Sequence, residues 1–408
     1  MDNPSIKPLI FHIDVNSAFL SWEAFYRVNK LGETVDLREI PSAIGGNKET
    51  RHGIILAKST PAKKYNIQTG EPIVNALKKC PNLTIVPPNH SLYVECSNNF
   101  IDLLKQYAPV VEQYSIDEAF LDMTGTSKLY KDPIAFAHTL KDEIKTKLGF
   151  TVNVGISRNK LLAKMASDFE KPDKVHTLFP EEIETKLWPL PVEDLFFVGP
   201  STAKKLYNLG IYTIGDLART DLELIRGHFK KHGEVIWNYA NGIDTDDIRK
   251  HIPANKGYSH DITLPYDVID RQTAKHFLLA ICETLGARIR ADKSYIGVVA
   301  VSFLDNEFNQ HSKQISLPSS TDVTEKIYEH ACNLFDSVWD NRPIRLLSVH
   351  TSKATDESYE QINMFDSEKY EKLSKLNSAI DSIRNKYGES SIKRASLMND
   401  KKRDSLKH

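Results

Sequence analysis

The segment 110–124, VVEQYSIDEAFLDMT, constrains the fold of this chain more than any other. Apolar residues flank the adjacent acids Asp117 and Glu118, and their alternation predicts two strands joined by a tight connection. Two neighbouring carboxylates in an apolar setting repel each other and lose hydration, so they need a positive partner. Mg²⁺ is a common partner, since it takes oxygen ligands and often shares them with substrate phosphates. A solvated acidic turn is the alternative, and an acid from elsewhere in the chain must decide.

Residues 8–14, PLIFHID, predict a short buried strand that ends on such an acid, Asp14. The next residues form an apolar stripe at helical spacing, which usually faces a core. Strand 151–157 is followed by a helix that carries Lys160 and Lys164 on one face. These cations can point along the sheet toward the acids, and cations beside a metal–carboxylate site suggest a polyanionic substrate.

The order of elements predicts the fold class. Residues 8–170 predict an α+β sheet with helices on one face, close to a ferredoxin-like palm. Residues 186–250 predict short helices about a VGPS turn, which suggests a helix-hairpin-helix that offers backbone N–H groups to phosphates; a plain helical bundle is the alternative. The polar stretch 244–260 predicts a linker, and residues 258–350 predict a small β-α-β-β-α-β domain.

Composition narrows the compartment and the partners. The 408 residues have a formal net charge of −1, so any attraction to nucleic acid must be local. No apolar run reaches transmembrane length, which predicts a cytoplasmic protein without a membrane partner. The four cysteines are scattered without zinc or disulfide spacing, which fits a reducing cytosol; they are Cys80, Cys96, Cys282 and Cys332.

After Lys353 the chain becomes polar and ends in a lysine-rich tail. Within it, the segment QINMFD, residues 361–366, carries isolated apolar side chains. Apolar anchors in a flexible segment often mark a docking peptide.

Three motifs in this order, FHIDVNSAF, YSIDEAFLD and GISRNKLLAK, resemble those of the Y-family (lesion-bypass) DNA polymerases. The pattern is most similar to UmuC-like and DNA polymerase IV-like proteins of Gram-positive bacteria, and it extends to about residue 350. The resemblance implies an α+β multidomain right-hand polymerase with a ferredoxin-like palm, small fingers, a helical thumb with a helix-hairpin-helix and a β-α-β-β-α-β little finger. The implied bounds are palm 1–20 and 80–180, fingers 21–79, thumb 181–245, linker 246–257, little finger 258–355 and a flexible tail 356–408.

The resemblance implies roles for residues of the palm. Asp14, Asp117 and Glu118 correspond to the catalytic acids that hold two Mg²⁺ ions, and the carbonyl of Val15 corresponds to a further metal ligand. Phe19 corresponds to the steric gate, an aromatic ring that clashes with a ribose 2′-OH and therefore favours deoxynucleotides.

Contacts with the incoming dNTP are implied for Thr60, Lys63 and Lys164, and contacts with the nascent base pair for Ile54 and Leu56. Many relatives carry tyrosine and arginine where this chain has Thr60 and Lys63. Arginine clamps a phosphate with two hydrogen bonds, whereas lysine acts as a point charge.

Contacts with the DNA backbone are implied for Gly199, Lys204 and Lys205 in the thumb. The common helix-hairpin-helix has glycine where this chain has Phe197 and Pro200, and both replacements reduce backbone freedom or donor capacity.

Residues 361–365 resemble the clamp-binding pentapeptide of bacterial polymerases, with Gln361 as its polar cap and Met364 and Phe365 as its apolar anchors. The implied partners are therefore primer–template DNA, a sliding clamp and, further, a recombinase or other damage-response subunits. A clamp raises the effective concentration of a weakly bound polymerase on its DNA.

The implied function is template-directed, low-fidelity translesion DNA synthesis, in which two Mg²⁺ ions promote nucleotidyl transfer from dNTP to a primer 3′-OH with release of pyrophosphate. Two alternatives stay open: a non-catalytic DNA-binding accessory factor of the same fold, and a nucleotide cyclase. The complete acid triad argues against the first. The steric gate, the helix-hairpin-helix and the clamp peptide are hard to place in the second.

Overall fold

The computed structural model describes residues 7–46, 53–249, 253–356 and 367–397. The chain divides into two compact units, with the boundary between residues 252 and 253. None of the helices in these described ranges has the length and apolar character that spanning a membrane requires.

The first unit contains two sheets and a set of helices. In chain order its elements are β1 Ile10–Val15, α1 Ala18–Tyr26, β2 Ser42–Gly45, β3 Ile55–Lys58, α2 Thr60–Lys63, α3 Ile73–Lys79, β4 Thr84–Val86, α4 His90–Leu104, β5 Val110–Gln113, β6 Glu118–Asp122, α5 Pro133–Leu148, β7 Val152–Ser157, α6 Lys160–Ser167, β8 Val175–Thr177, α7 Pro200–Asn208, α8 Ile214–Arg219, α9 Leu222–Phe229 and α10 Lys231–Ala240.

The larger sheet has the order β5-β6-β1-β7-β8. The hairpin predicted within 110–124 is confirmed, because β5 and β6 pair in antiparallel register. Strand β1 lies at the centre and is antiparallel to both β6 and β7. Its side chains alternate between faces: Phe11, Ile13 and Val15 join a core with α1, α4 and α5, whereas His12 faces α6.

Helix α6 packs on the opposite face of this sheet, so the prediction that helices cover one face is wrong. Gly155 in β7 permits the close approach, since a Cβ there would lie 1.9 Å from the carbonyl oxygen of Ala163. The Nδ1 atom of His12 lies 2.7 Å from Ser167 Oγ, which joins β1 to the end of the helix. The helix begins at its cap residue Asn159, whose side chain accepts a hydrogen bond from Leu162 N.

The smaller sheet has the order β3-β2-β4, and β4 runs parallel to β2. The implied division between fingers and palm at residues 79 and 80 stays a prediction; in the structure, Thr84–Val86 pairs with β2 in the smaller sheet. Parallel pairing requires a crossover connection, and β3, α2 and α3 lie between the two strands in the chain.

Helices α7–α10 enclose a core that includes Leu206, Ile214 and Ile225. Leu162 and Met165 of α6 belong to the same core. Helix α6 therefore packs on the large sheet with one face and on helices α7–α10 with another.

The segment 242–249 returns from α10 to the large sheet. Gly242 O accepts a hydrogen bond from Asn159 Nδ2 at 2.8 Å, and Ile248 packs against the cluster of Ile10, Phe120 and Ala163. The sequence predicts a linker from residue 246, but in the structure residues 248 and 249 contact the large sheet. Apolar packing by Ile248 is the physical reason for this difference.

The second unit confirms the predicted β-α-β-β-α-β order. Its elements are β9 Ser259–Val268, α11 Arg271–Ala291, β10 Tyr295–Asp305, β11 Gln310–Thr321, α12 Thr324–Val338, β12 Ile344–Thr355 and α13 Ser367–Tyr387. The sheet order is β11-β10-β12-β9, and all its pairs are antiparallel.

Part of the chain after β12 folds against α11 and α12. Arg290 donates to Asp381 at 2.6 Å and to Asn377 Oδ1 at 3.0 Å, and Arg394 donates to Glu283 at 2.6 Å. For residues 367–397 the prediction of a flexible tail is wrong, because charge-assisted hydrogen bonds anchor this segment.

Candidate active site

Three acids occupy the end of the large sheet where β1 and β6 meet. Asp14 and Glu118 are directly opposite each other in the antiparallel register, so their side chains leave the sheet on the same face. Asp117 lies in the connection just before β6, and its carbonyl accepts a hydrogen bond from Val15 N at 3.0 Å. The strands thus place the two predicted sequence motifs side by side.

Glu118 has a lysine partner from α6. Lys164 Nζ donates to Glu118 Oε1 at 2.8 Å, and His12 Nε2 lies 3.8 Å from the other carboxylate oxygen. Burial by itself raises the pKa of Glu118, but His12 and Lys164 outweigh it and lower the pKa to about 2. Glu118 is therefore ionised throughout the physiological range.

Asp14 has a different lysine partner, Lys171, whose Nζ donates to Asp14 Oδ2 at 2.6 Å and also contacts Asp168 at 2.8 Å. Burial raises the pKa of Asp14 to about 6 although Lys171 opposes this, and the charge of Glu118 adds to the rise. Sequence reasoning missed Lys171. The sequence feature that could have indicated Lys171 is its position as a basic residue just after the helix that carries Lys164.

The Asp117 carboxylate is held within its own turn, where it accepts a hydrogen bond from Ser115 Oγ at 2.7 Å. In the described part of the chain, no three His, Cys, Asp or Glu side chains are already grouped to hold a metal ion. The chemistry of the donors nevertheless fits Mg²⁺, which prefers carboxylate and carbonyl oxygens. Lys164 and Lys171 now supply the positive charge that such an ion would bring to Glu118 and Asp14.

Phe19 lies in the first turn of α1, and neighbouring aromatic rings fix the orientation of its ring. Its ring stacks on Tyr93 with centroids 4.6 Å apart and planes at 12°, and His90 meets its edge at 6.2 Å. Tyr93 is itself buried and donates to Glu23 at 3.2 Å. The sequence indicated Phe19 but not the ring that fixes it.

The predicted residues of the fingers lie on β3, beside it and on α2. Ile54 is 44% exposed and Leu56 is half-buried, while Ile55 and Ala57 between and after them are buried. The alternation of a strand explains this pattern.

Thr60 and Lys63 are exposed on α2, which Ser59 caps by accepting a hydrogen bond from Ala62 N at 3.1 Å. Within the described residues, no hydrogen bond joins Thr60 or Lys63 to the acids of the palm.

The predicted helix-hairpin-helix turn precedes α7. Gly199 caps this helix, and a Cβ at Gly199 would meet no atom within 4 Å, so the turn is open in front. Lys204 and Lys205 are exposed on α7. Phe197 has a φ of 74°, a left-handed conformation that favours glycine, and its ring is 54% exposed. The first helix of the motif is only a single 3₁₀ turn, Val192–Asp194.

The predicted clamp-binding residues Gln361, Met364 and Phe365 lie outside the described residues.

Comparison with known proteins identifies the family. Residues 13–168 match the impB/mucB/samB family, residues 255–364 match the C-terminal domain of that family, and residues 180–211 match its HHH motif. The chain is 45% identical to a DNA polymerase IV of Clostridium acetobutylicum over 96% of this chain and 99% of the relative. The chain belongs to this family.

Further similarities agree with the impB/mucB/samB assignment. A DNA polymerase IV of Alkaliphilus oremlandii is 36% identical over 96% of this chain and all of the relative, and DNA polymerase IV 2 of Bacillus subtilis is 33% identical over 96% and 95%. A solved Y-family DNA polymerase chimera superposes with a TM-score of 0.74 and 21% identity, covering 86% of this chain and 100% of that chain. The resemblance to Y-family polymerases and the right-hand fold class are confirmed, and the HHH match favours a helix-hairpin-helix over a plain bundle.

Proposed function

We propose that this chain is a template-directed DNA polymerase of the translesion type, which transfers a nucleotidyl group from dNTP to a primer 3′-OH, releases pyrophosphate and copies with low fidelity. The observation that carries the proposal is the cross-strand pair Asp14–Glu118, with one lysine on each carboxylate, in a chain of this family. Perturbed carboxylates that face specific cations are typical of catalytic sites.

The proposed metal ligands are the carboxylates of Asp14, Asp117 and Glu118 and the carbonyl of Val15, which together would hold two Mg²⁺ ions. When bound, Mg²⁺ lowers the pKa of a hydroxyl nucleophile and neutralises phosphate charge. Strands β1 and β6 carry three of these four ligands, Asp14, Val15 and Glu118, while the turn before β6 carries Asp117.

Lys164 and Lys171 are proposed to neutralise the triphosphate. Both ammonium groups already lie at the carboxylate edge, 2.8 Å from Glu118 and 2.6 Å from Asp14. A preorganised cation stabilises charge that develops in the transition state without reorganising at that moment. Lys63 is proposed as a further phosphate contact from the fingers, next to Thr60.

Phe19 is proposed as the steric gate. The stacking of its ring on Tyr93 leaves it little freedom to yield to a ribose 2′-OH. Ile54 and Leu56 are proposed to face the nascent base pair, because they lie on the less buried side of their strand.

The proposed partners are primer–template DNA, a sliding clamp bound through residues 361–365, and further damage-response subunits such as a recombinase, in a cytoplasmic setting. Gly199 offers open space in front of the turn, and Lys204 and Lys205 offer charge for the DNA backbone. Binding through phosphates is expected to weaken as salt rises.

The proposed polymerase subdomains are modified from the sequence-based bounds. The fingers extend through β4 at Thr84–Val86, and the thumb extends through the returning segment to residue 249. The little finger gains the docked segment 367–397.

Primer extension on undamaged and abasic templates, with Mg²⁺ and each dNTP separately, tests the proposal. We expect extension by the wild-type chain and none by the double variant Asp117→Ala/Glu118→Ala, which should still bind primer–template DNA. Binding without extension by the wild-type chain would instead favour an accessory factor, and conversion of nucleoside triphosphates without a primer would favour a cyclase.

A further inference from the structure

Lys164 lies between two aromatic rings from different parts of the first unit. Its Nζ is 5.5 Å from the ring centroid of Tyr114, which follows β5, and 5.4 Å from that of Phe196, which precedes α7. A cation within about 6 Å of an aromatic centroid is attracted by the electron density of the ring face. In the described part of the chain, the ammonium therefore contacts two aromatic rings and one anion, Glu118.

Contacts with other side chains fix both rings. Tyr114 meets the buried Phe120 edge-on with centroids 5.4 Å apart. Phe196 stacks on Tyr239 with centroids 6.2 Å apart, and its backbone N–H lies 3.4 Å from Met165 Sδ in α6. One ring is thus anchored to the palm sheet, while the other is anchored to the thumb and to the helix that carries the lysine.

We propose that Tyr114 and Phe196 are positioning residues that hold the Lys164 ammonium at the carboxylate edge when Glu118 binds another cation. The proposal rests on the proposed function, since it assumes that Glu118 serves a metal site. It also means that the thumb, through Phe196, contributes a side chain to the active site of the palm.

The physical argument concerns the charge of Glu118. A carboxylate that ligates a cation attracts a neighbouring ammonium less, so Lys164 without other partners would be free to leave. An aromatic face attracts the ammonium without carrying net charge and without competing for the metal. The Lys164 side chain is only 10% exposed, which leaves it few other positions near Glu118.

Lys160 provides an internal reference on the same helix. Both of its contacts to Glu112 are hydrogen bonds, at 2.8 and 3.0 Å, and its side chain is as buried as that of Lys164. Neither Tyr114 nor Phe196 is placed over Lys160; its aromatic neighbour is Phe120, at 5.0 Å. Loss of the two rings should therefore affect Lys164 and spare Lys160, because two hydrogen bonds to Glu112 hold Lys160 even if Phe120 shifts after Tyr114 is removed.

Chemical labelling tests the proposal without requiring polymerase activity. The folded chain, with and without millimolar Mg²⁺, is treated with N-hydroxysuccinimidyl acetate, and acetylation of each lysine is followed by mass spectrometry. In Tyr114→Leu/Phe196→Leu we expect acetylation of Lys164 to accelerate about five- to thirtyfold, with Lys160 unchanged. The conservative pair Tyr114→Phe/Phe196→Tyr should behave as wild type. Unchanged labelling of Lys164, or an equal rise at Lys160, would overturn the proposal.

Steady-state kinetics supply a second readout. For Phe196→Leu we expect kcat to fall about three- to tenfold while KM for dNTP and the Kd for DNA stay unchanged. Phe196→Tyr should restore kcat, and Tyr212→Leu, which removes an exposed thumb ring elsewhere, should leave it unchanged. A loss in DNA affinity alone, or an equal loss in Phe196→Tyr, would contradict a positioning role.

Primer extension by the wild-type chain and chemical labelling together separate the proposed function from the aromatic positioning of Lys164. Absence of extension by the wild-type chain together with the expected labelling pattern would refute only the proposed function. Extension by the wild-type chain with unchanged labelling would refute only the aromatic positioning.

Discussion

Helix α6 carries two lysines one turn apart, and each pairs with a glutamate of the hairpin beneath it. Lys160 binds both oxygens of Glu112 at 2.8 and 3.0 Å, and the backbone N–H of Arg249 donates to the same carboxylate at 2.7 Å. Lys164 binds one oxygen of Glu118 at 2.8 Å, and Asp14 lies opposite that glutamate on the next strand. Both oxygens of Glu112 thus accept hydrogen bonds, whereas one oxygen of Glu118 does.

The difference teaches how to distinguish a structural ion pair from a functional one. The carboxylate of Glu112 accepts three hydrogen bonds on its two oxygens, two from Lys160 and one from the backbone of the returning segment 242–249. Among the residues that the structure describes, the second oxygen of Glu118 has only His12 Nε2 as a polar neighbour, at 3.8 Å, and Glu118 shares its surroundings with a second acid. Such an arrangement is unfavourable for stability alone, and sites of this kind cluster where charge is used in chemistry.

The largest effect should come from breaking the Glu118–Lys164 pair, called here the open pair because one oxygen of Glu118 has no close partner in the described part of the chain. Glu118→Gln keeps the shape of the side chain but removes its charge, so we expect single-turnover primer extension to slow by about a thousandfold. The Lys164 ammonium, which is nearly as buried as that of Lys160, also loses its anionic partner, so the melting temperature should fall, and extension is measured below it. An extension rate within tenfold of wild type would refute the assignment of Glu118 to the metal site.

The Glu112–Lys160 pair, called here the closed pair, should affect stability and not primer extension. Glu112→Ala leaves the Lys160 ammonium buried without a carboxylate, and we expect the free energy of unfolding to fall by about 3–5 kcal/mol. Urea denaturation measures this loss. Protein that remains folded at low temperature should still extend primers, and a stable but inactive Glu112→Ala variant would contradict the structural role.

The pH dependence of metal binding sharpens the comparison within the open site. The pKa of Asp14 is raised to about 6, so below that pH a proton competes with Mg²⁺ for its carboxylate. The pKa of Glu118 is lowered to about 2, so Glu118 does not titrate in the same range. We expect the Mg²⁺ concentration for half-maximal extension to rise about tenfold per pH unit below pH 6 and to level off above it. A flat profile between pH 5 and 7 would contradict the raised pKa of Asp14.

The smallest effect should come from replacing the closed pair as a whole. Glu112→Leu/Lys160→Met substitutes apolar groups of similar volume, and we expect the free energy of unfolding to stay within about 1 kcal/mol of wild type, since buried ion pairs can be replaced at little net cost. The kcat of this double variant should match wild type. A large loss of kcat with normal stability would assign Lys160 to the chemistry.

Much of the site could be predicted from the sequence because each strand or helix that carries a site residue is encoded by a pattern in its own short segment. The hairpin around Asp117 and Glu118, the strand that carries Asp14 and the helix that carries Lys164 all have strong periodic patterns, and the structure joins them. The little-finger order was equally readable for the same reason.

The contacts that the sequence did not predict are made by segments that come back to the large sheet after a turn or after several helices. Lys171 reaches Asp14 only through the turn after α6, and residues 246–249 reach Glu112 only after the thumb is complete. Helix α13 has apolar residues at helical spacing, Leu373, Leu376, Ile380 and Ile383, which could have indicated a helix. Its docking, however, depends on polar pairs such as Arg290–Asp381, which no periodic pattern reveals.

Direct metal binding tests the central claim, which is that Asp14 and Glu118 form a cation site whereas Glu112 does not. Mn²⁺ bound in the presence of primer–template and a non-hydrolysable dNTP can be counted by electron paramagnetic resonance for wild type, Asp14→Asn/Glu118→Gln and Glu112→Leu/Lys160→Met. We expect specific binding to be lost in the first double variant and kept in the second. Equal binding by wild type and Asp14→Asn/Glu118→Gln would contradict the account.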